Sequence, residues 1–205
     1  EKEVRNNYAT KHMLSIAKNI SNLKKLGFNL LDSYDEKNKK LISNFSKYEQ
    51  FSSFLIELIK KNDMNEFKRY VNLYYDELKS KLLKNEDKIN IENSNIIKKL
   101  DVNLDNIEMN VVNNQMYIIK NGYIDLTFEN IFLDLKNSLF LYFDQEWFFE
   151  NAPLEYILYR SLNNIYIYAE LNKYYSFEKI LKEFEIYQYK DIFEKIEKSF
   201  QEYII

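Results

Sequence analysis

Apolar positions in the first part of the chain recur at helical spacing. Over residues 10–26, Met13, Ile16, Ala17, Ile20 and Leu23 fall on one face, and Gly27 follows where a helix C-cap needs a glycine. A short segment at 2–6 suits a strand end. Two further extended segments, 28–33 and 40–45, flank the charged turn Asp35-Glu36-Lys37-Asn38 and predict a hairpin. Phe51, Phe54, Leu55, Leu58 and Ile59 then predict a helix. Another opens at Asp63, which stands at capping-box spacing from Glu66 with Asp in place of Ser or Thr, and carries Phe67, Tyr70, Val71, Tyr74, Leu78 and Leu82. Residues 84–95 are polar and weakly patterned, as in a loop or insertion, and the stretch up to 109 favours neither period.

The pattern then changes. Residues 115–119, 131–133 and 139–143 are short apolar runs broken by turn residues, the signature of buried strands. Pro153 suits a first helical turn, and the remainder is helical. Leu154, Ile157, Leu158, Leu162, Ile165 and Leu171 line one helix. Ser176 is placed to cap a second bearing Phe177, Ile180, Leu181 and Phe184, and Ile192, Phe193, Ile196 and Phe200 line the last. Strands and helices are segregated along the chain rather than alternating, which indicates an α+β architecture.

Composition narrows the function classes. The chain has 205 residues and a formal charge of -3, with Lys interspersed among Asp and Glu as on solvated helix faces. It offers no basic stripe for nucleic acid. Cysteine is absent, so there are no disulfides and no thiol nucleophile, which is compatible with a cytoplasmic setting. His12 is the sole histidine, so a zinc site is not expected. No apolar run reaches membrane-span length. With only Gly27 and Gly122 available, these residues contain neither a glycine-rich phosphate loop nor a serine nucleophile elbow. The many Tyr and Phe residues, alongside abundant Asn, Lys and Ile, fit codon bias better than a dedicated aromatic role. The chain starts at Glu1 rather than Met, as expected of a piece cut from a longer protein.

The most informative segment runs from 122 to 147. Asp125 is followed by Leu126 and, five residues on, by Asn130 and Ile131; after two apolar runs, Asp144 stands fourteen residues beyond Asn130. This frame resembles the catalytic loop and metal-binding segment shared by protein kinases, aminoglycoside phosphotransferases and choline kinases. The continuation Phe143-Asp-Gln-Glu-Trp147, then Pro153 leading to Tyr159-Arg-Ser-Leu162, is similar to the kinase-like segment beside methyltransferase or glycosyltransferase domains in bacterial surface-polysaccharide proteins. The likeness is dense from 122 to 166 and diffuse elsewhere. It implies a reduced small lobe over 1–50, a mainly helical large lobe over 51–205, and a hinge at 45–51. It also implies ATP and magnesium as cofactors, Asp125 as catalytic base, Asn130 and Asp144 as magnesium ligands, and Arg5 at the position of the phosphate-holding strand lysine. A sugar or glycan hydroxyl would be the acceptor, and an upstream transferase domain the fused partner.

The chemistry explains why these residue types recur together. Phosphoryl transfer needs an acceptor for the proton of the attacking hydroxyl and hard oxygen ligands for magnesium beside the phosphates. The sequence departs from the family pattern in several places. Tyr123 stands where protein kinases carry a histidine. Glu146 adds a carboxylate suited to metal binding or to a structural hydrogen bond. Arg5 is a fork rather than a point charge. The helix over 10–26 has no acidic residue to pair with it, leaving His12 as a substitute partner. Two other functions stand beside the phosphotransferase: a catalytically silent pseudokinase-like scaffold, and a helical interaction domain with no ligand. For the motif itself the plain structural alternative is that Asp125 and Asn130 are turn or cap residues and Asp144 caps the next segment.

Overall fold

Helix α1 (Asn7–Lys25) ends as its sequence requires. Gly27 takes φ +86°, and the N–H groups of Gly27 and Phe28 donate to the carbonyls of Lys24 and Leu23 at 3.0 Å each. This is the paired C-cap that a glycine just past the last turn permits, with Lys24 and Lys25 at the negative end of the helix dipole. The computed structural model describes residues 2–3, 7–83, 91–107 and 116–204. Arg5 and the first residue of the run at 115–119 lie outside them.

Among the described residues, three small antiparallel sheets accompany the helices. The first contains β1 (Lys2–Glu3), β2 (Asp32–Asp35) and β3 (Lys40–Ser43) in the order β1-β3-β2. Its hairpin turn is held by Asp35, whose Oδ1 accepts from the N–H groups of Lys37 and Asn38. The strands start and end differently from the expected 28–33 and 40–45. Residues 29–31 cross to another sheet, where Tyr142 N–H donates to the Asn29 carbonyl and Leu31 N–H to the Tyr142 carbonyl, each at 2.8 Å.

The second sheet orders β4 (Glu49–Gln50), β6 (Ile131–Asp134) and β7 (Leu139–Tyr142) as β4-β6-β7. The third pairs β5 (Ile118–Tyr123) with β8 (Phe148–Pro153). Periodicity does not announce β8, because Glu150 and Asn151 interrupt its apolar run; pairing with β5 creates it. Pro153 closes this strand and stands just before the helix rather than inside its first turn. Gly122 is required here, since a Cβ would lie 2.4 Å from the Ala152 Cβ and 2.7 Å from the Phe149 carbonyl oxygen.

Helices α2 (Phe51–Lys60) and α3 (Met64–Leu82) meet at Asp63, whose carboxylate accepts from Glu66 N–H at 3.3 Å. Only half of the capping box forms. The Glu66 carboxylate turns to Arg69, and Asp63 N–H donates to the Leu58 carbonyl. Short α4 (Asn95–Lys99) follows, then α5 (Leu154–Tyr168), α6 (Phe177–Glu183) and α7 (Lys190–Ile204). Ser176 occupies the cap position of α6 without a side-chain bond; the Asn172 carboxamide oxygen accepts from Phe177 N–H instead.

The architecture is thus α+β. A large core built around Phe51, Phe67, Tyr74, Phe128, Phe140 and Phe193 joins helices α2, α3, α5 and α7 to the second and third sheets. A separate small cluster of Met13, Ile16, Ile20 and Leu41 seats α1 on the first sheet. Among the described residues, no helix is long and apolar enough to cross a membrane.

Candidate functional site

The loop from Asp125 to Asn130 leaves β5 and enters β6 through a short helical turn, Phe128–Asn130. Its backbone carbonyls are held in turn by side chains from distant elements. Tyr74 of α3 donates its hydroxyl to the Leu126 carbonyl at 2.6 Å, and Gln50 of β4 donates to the Glu129 carbonyl at 2.6 Å. The Asp125 carbonyl accepts from Gln145 Nε2 at 2.9 Å and from Asn130 Nδ2 at 3.0 Å. A loop held at each of these points is pre-organised rather than free to sample many conformations.

Asn130 joins the two halves of the site. Its Nδ2 also donates to the Asp144 carbonyl at 3.4 Å, so one amide spans both acidic residues, and its Oδ1 takes no part in these bonds. Asp144 itself is exposed at the end of β7 and adopts φ +55°, a left-handed conformation tolerated by Asp more readily than by most residues. Its N–H donates at 2.6 Å to Oδ2 of Asp32, whose Oδ1 accepts from Ser43 Oγ. The β2–β3 hairpin therefore fixes the turn that presents Asp144.

Asp125 is buried, with 6% of its surface exposed, and Oδ2 accepts from the N–H groups of Glu146 at 3.0 Å and Trp147 at 2.7 Å. Two effects oppose each other. Burial disfavours the charged carboxylate and dominates, while the positive charge of Arg160 and the two backbone donors favour it; the result is a pKa pushed up to about 7. Glu129 is raised in the same direction, again chiefly by burial.

The segment after Asp144 is tied back to Asp125. Gln145 binds the carbonyls of Asp125 and Phe143, and the backbones of Glu146 and Trp147 bind the Asp125 carboxylate. The Trp147 ring packs edge-on against Phe200 and Tyr203 of α7. Helix α1 reaches the same segment. Asn19 Nδ2 donates to the carbonyls of Gln145 and Glu146 at 3.3 and 3.1 Å, and His12 Nε2 lies 3.5 Å from Glu146 Oε2. His12 thus faces Glu146, giving that extra carboxylate a structural neighbour.

Of the residues singled out from the sequence, Asp125, Asn130 and Asp144 come together through their main chains and the Asn130 amide. Arg5 lies outside the described residues. The sequence carries no signal for the roles of Asp32, Asn19, Gln50 and Tyr74, because residue type and local spacing do not mark the distant carbonyl or N–H that a side chain will meet. Among the described residues no group of three His, Cys, Asp or Glu side chains is assembled to hold a metal. An all-protein carboxylate cage is not what this loop offers. Asp144 and Asn130 do supply hard oxygens of the kind magnesium accepts when phosphate and water complete its shell. Comparison with known protein families and with curated proteins finds no match for the sequence.

Proposed function

We propose that this chain is a kinase-like phosphotransferase domain that uses ATP and magnesium to phosphorylate a sugar or glycan hydroxyl in bacterial surface-polysaccharide assembly. The observation carrying the proposal is the Asn130 amide bonded to the carbonyls of both Asp125 and Asp144, which makes one cluster of a loop and a strand end. The nucleotide and acceptor classes come from the sequence resemblance.

In this reading, Asn130 and Asp144 would hold the magnesium. The bound ion would neutralise charge on the phosphoryl oxygens. Asp32 and Asn130 keep Asp144 in place, so little conformational freedom is lost when ligand binds. Asp125 orients the acceptor hydroxyl and takes its proton through Oδ1, while Oδ2 stays bonded to the backbone. A carboxylate whose pKa stands at about 7 is well matched to accepting a proton near neutral pH.

Thermal unfolding with ATP and magnesium tests the assignment. A single site occupied at a hundredfold its Kd stabilises by about 2.7 kcal/mol. Asp144→Ala is expected to abolish the magnesium-dependent shift, whereas Asp125→Ala keeps the shift and loses turnover. Equal turnover in the wild type and Asp125→Ala would overturn the mechanism.

One feature favours the silent scaffold as a second reading. Helix α1 has no acidic residue, and it meets the 144–147 segment through Asn19 and His12 rather than through a lysine–glutamate pair. Absence of any nucleotide shift in wild type at millimolar ATP with magnesium would select the scaffold.

A further inference from the structure

Asp and Glu account for 32 of the 205 residues, yet none occurs between Glu3 and Asp32. Helix α1 fills most of that interval, so its Lys11, Lys18, Lys24 and Lys25 have no acidic neighbour along the helix. Other helices are built differently. Lys60 and Lys61 meet Glu57, Arg69 meets Glu66, Lys81 meets Glu77 and Lys190 meets Glu194, each three or four residues away. Among the described residues, no side-chain hydrogen bond or ion pair engages the four lysines of α1, all of which are exposed. Lys11, Lys18 and Lys25 recur every seven residues and so share one stripe about 21 Å long. A positive face thus stands uncompensated on a chain whose formal charge is -3.

A groove of about 430 Å³ runs between this helix and the β2–β3 hairpin. Lys18 and Lys24 border it from α1, and Tyr34 and Glu36 border it from the hairpin. Glu36 is the single carboxylate among the described lining residues, against two lysines. The wall between these charges is apolar. Ile20 belongs to the small cluster beneath, and Tyr34 packs against that cluster, so packing fixes this part of the wall. Leu14, one turn before Lys18, adds an apolar rim and is 52% exposed. Free cations therefore stand beside apolar surface that the fold itself leaves uncovered.

We infer that this groove docks an acidic peptide segment of a partner protein, its carboxylates against Lys18 and Lys24 and an apolar side chain against Leu14, Ile20 and Tyr34. Like charges gathered on one face repel, and an acidic segment relieves that repulsion while it covers the exposed leucine. Because these lysines hold no partner, their charge reaches a ligand without breaking an existing pair. Complementary charge speeds encounter and sets register, and the apolar contact adds to the hold. Nucleic acid is a poorer match, since four lysines on one helix neutralise few phosphates and the apolar wall offers the backbone nothing. None of Asp125, Asn130 and Asp144 lines the groove.

The probe is the acetylated, amidated peptide Glu-Glu-Ser-Glu-Phe-Glu-Ser-Glu-Glu, titrated into the isotope-labelled chain and followed by amide NMR shifts. Saturable shifts centred on Leu14, Lys18, Lys24 and Tyr34 are expected. The same peptide with glutamine for every glutamate should bind at least about tenfold more weakly, and with alanine for phenylalanine about threefold more weakly. In the protein, Lys18→Gln with Lys24→Gln should weaken binding about fivefold, whereas Glu36→Lys should strengthen it about threefold. All three positions are exposed, so these variants leave the core intact, and the gain in Glu36→Lys is one that a misfolded chain does not produce. Equal binding of the acidic and glutamine peptides, no saturable shift at these residues, or undiminished binding in the lysine double variant would overturn the docking site. Sedimentation of the wild type with phosphatidylserine–phosphatidylcholine vesicles, without a peptide response, would overturn it in favour of a membrane surface. Nucleotide plays no part in the readout, so the outcome is independent of the phosphotransferase proposal.

Discussion

At the scale of single residues, the molecule turns on carboxylates whose surroundings set their charge. Asp125 has a native pKa of about 7 because burial outweighs Arg160 and two backbone donors, against roughly 4 for an exposed aspartate. The folded state therefore binds a proton that the unfolded chain has already released between about pH 4 and pH 7. Stability should fall as pH rises through that window and level off above it, with Asp125 contributing a loss on the order of 4 kcal/mol. Glu129, also raised, adds to the same slope. Urea unfolding across this range should show the decline in wild type and a shallower one in Asp125→Asn. An unchanged slope in the variant would show that Asp125 is ionised in the fold throughout. Asp32 makes a different kind of prediction. Asp32→Ala leaves the Asp144 N–H without its acceptor, which should cost about 1–3 kcal/mol and loosen the presentation of Asp144. Lowered stability is the expected result and, if the proposed phosphotransferase function holds, it comes with weakened magnesium-dependent nucleotide binding.

At the scale of elements, the third sheet shows how one small residue permits a contact. The close approach of β5 and β8 leaves no room for a Cβ at Gly122, where the nearest obstacles are the Ala152 Cβ and a backbone carbonyl. Gly122→Ala should destabilise by about 1–3 kcal/mol through overpacking, and Gly122→Ala with Ala152→Gly should recover part of that loss. Chemical denaturation of the single and double variants measures both. Most elements were legible beforehand. Helix α1 with its glycine cap, the hairpin turn at Asp35–Asn38, the Asp63 cap and the three C-terminal helices follow from period and cap chemistry, which act locally. Strand β8 and the crossing of residues 29–31 to β7 were not legible, because each exists only through pairing with a strand far away in the chain.

At the scale of the whole molecule, α7 is tied to the candidate site through a nearly buried ion pair. Arg160 of α5 binds Glu197 of α7 at 2.7 Å, Tyr156 donates to the same carboxylate at 2.7 Å, and Arg160 lies 4.4 Å from the Phe200 ring, which in turn packs on Trp147. Removing one partner leaves a charge without compensation in a dry setting. Glu197→Ala should cost about 3–5 kcal/mol, while the apolar pair Arg160→Met with Glu197→Leu should lie close to wild-type stability. Equal losses in the single and double variants, read from denaturation midpoints, would show that packing and not charge governs this contact.

By itself, the sequence determined the α+β class, the helical faces, the caps and the oxygen-bearing residues Asp125, Asn130 and Asp144, because those properties depend on side-chain type and short spacing. Only the tertiary structure decided which carbonyl each amide would hold, that Asp32 would secure Asp144, that burial would leave Asp125 poised near neutrality, and that Lys18 and Lys24 would border one groove with the β2–β3 hairpin. Hydrogen bonding and desolvation act through space, and the distances that govern them come into being only when elements remote in the chain are packed together.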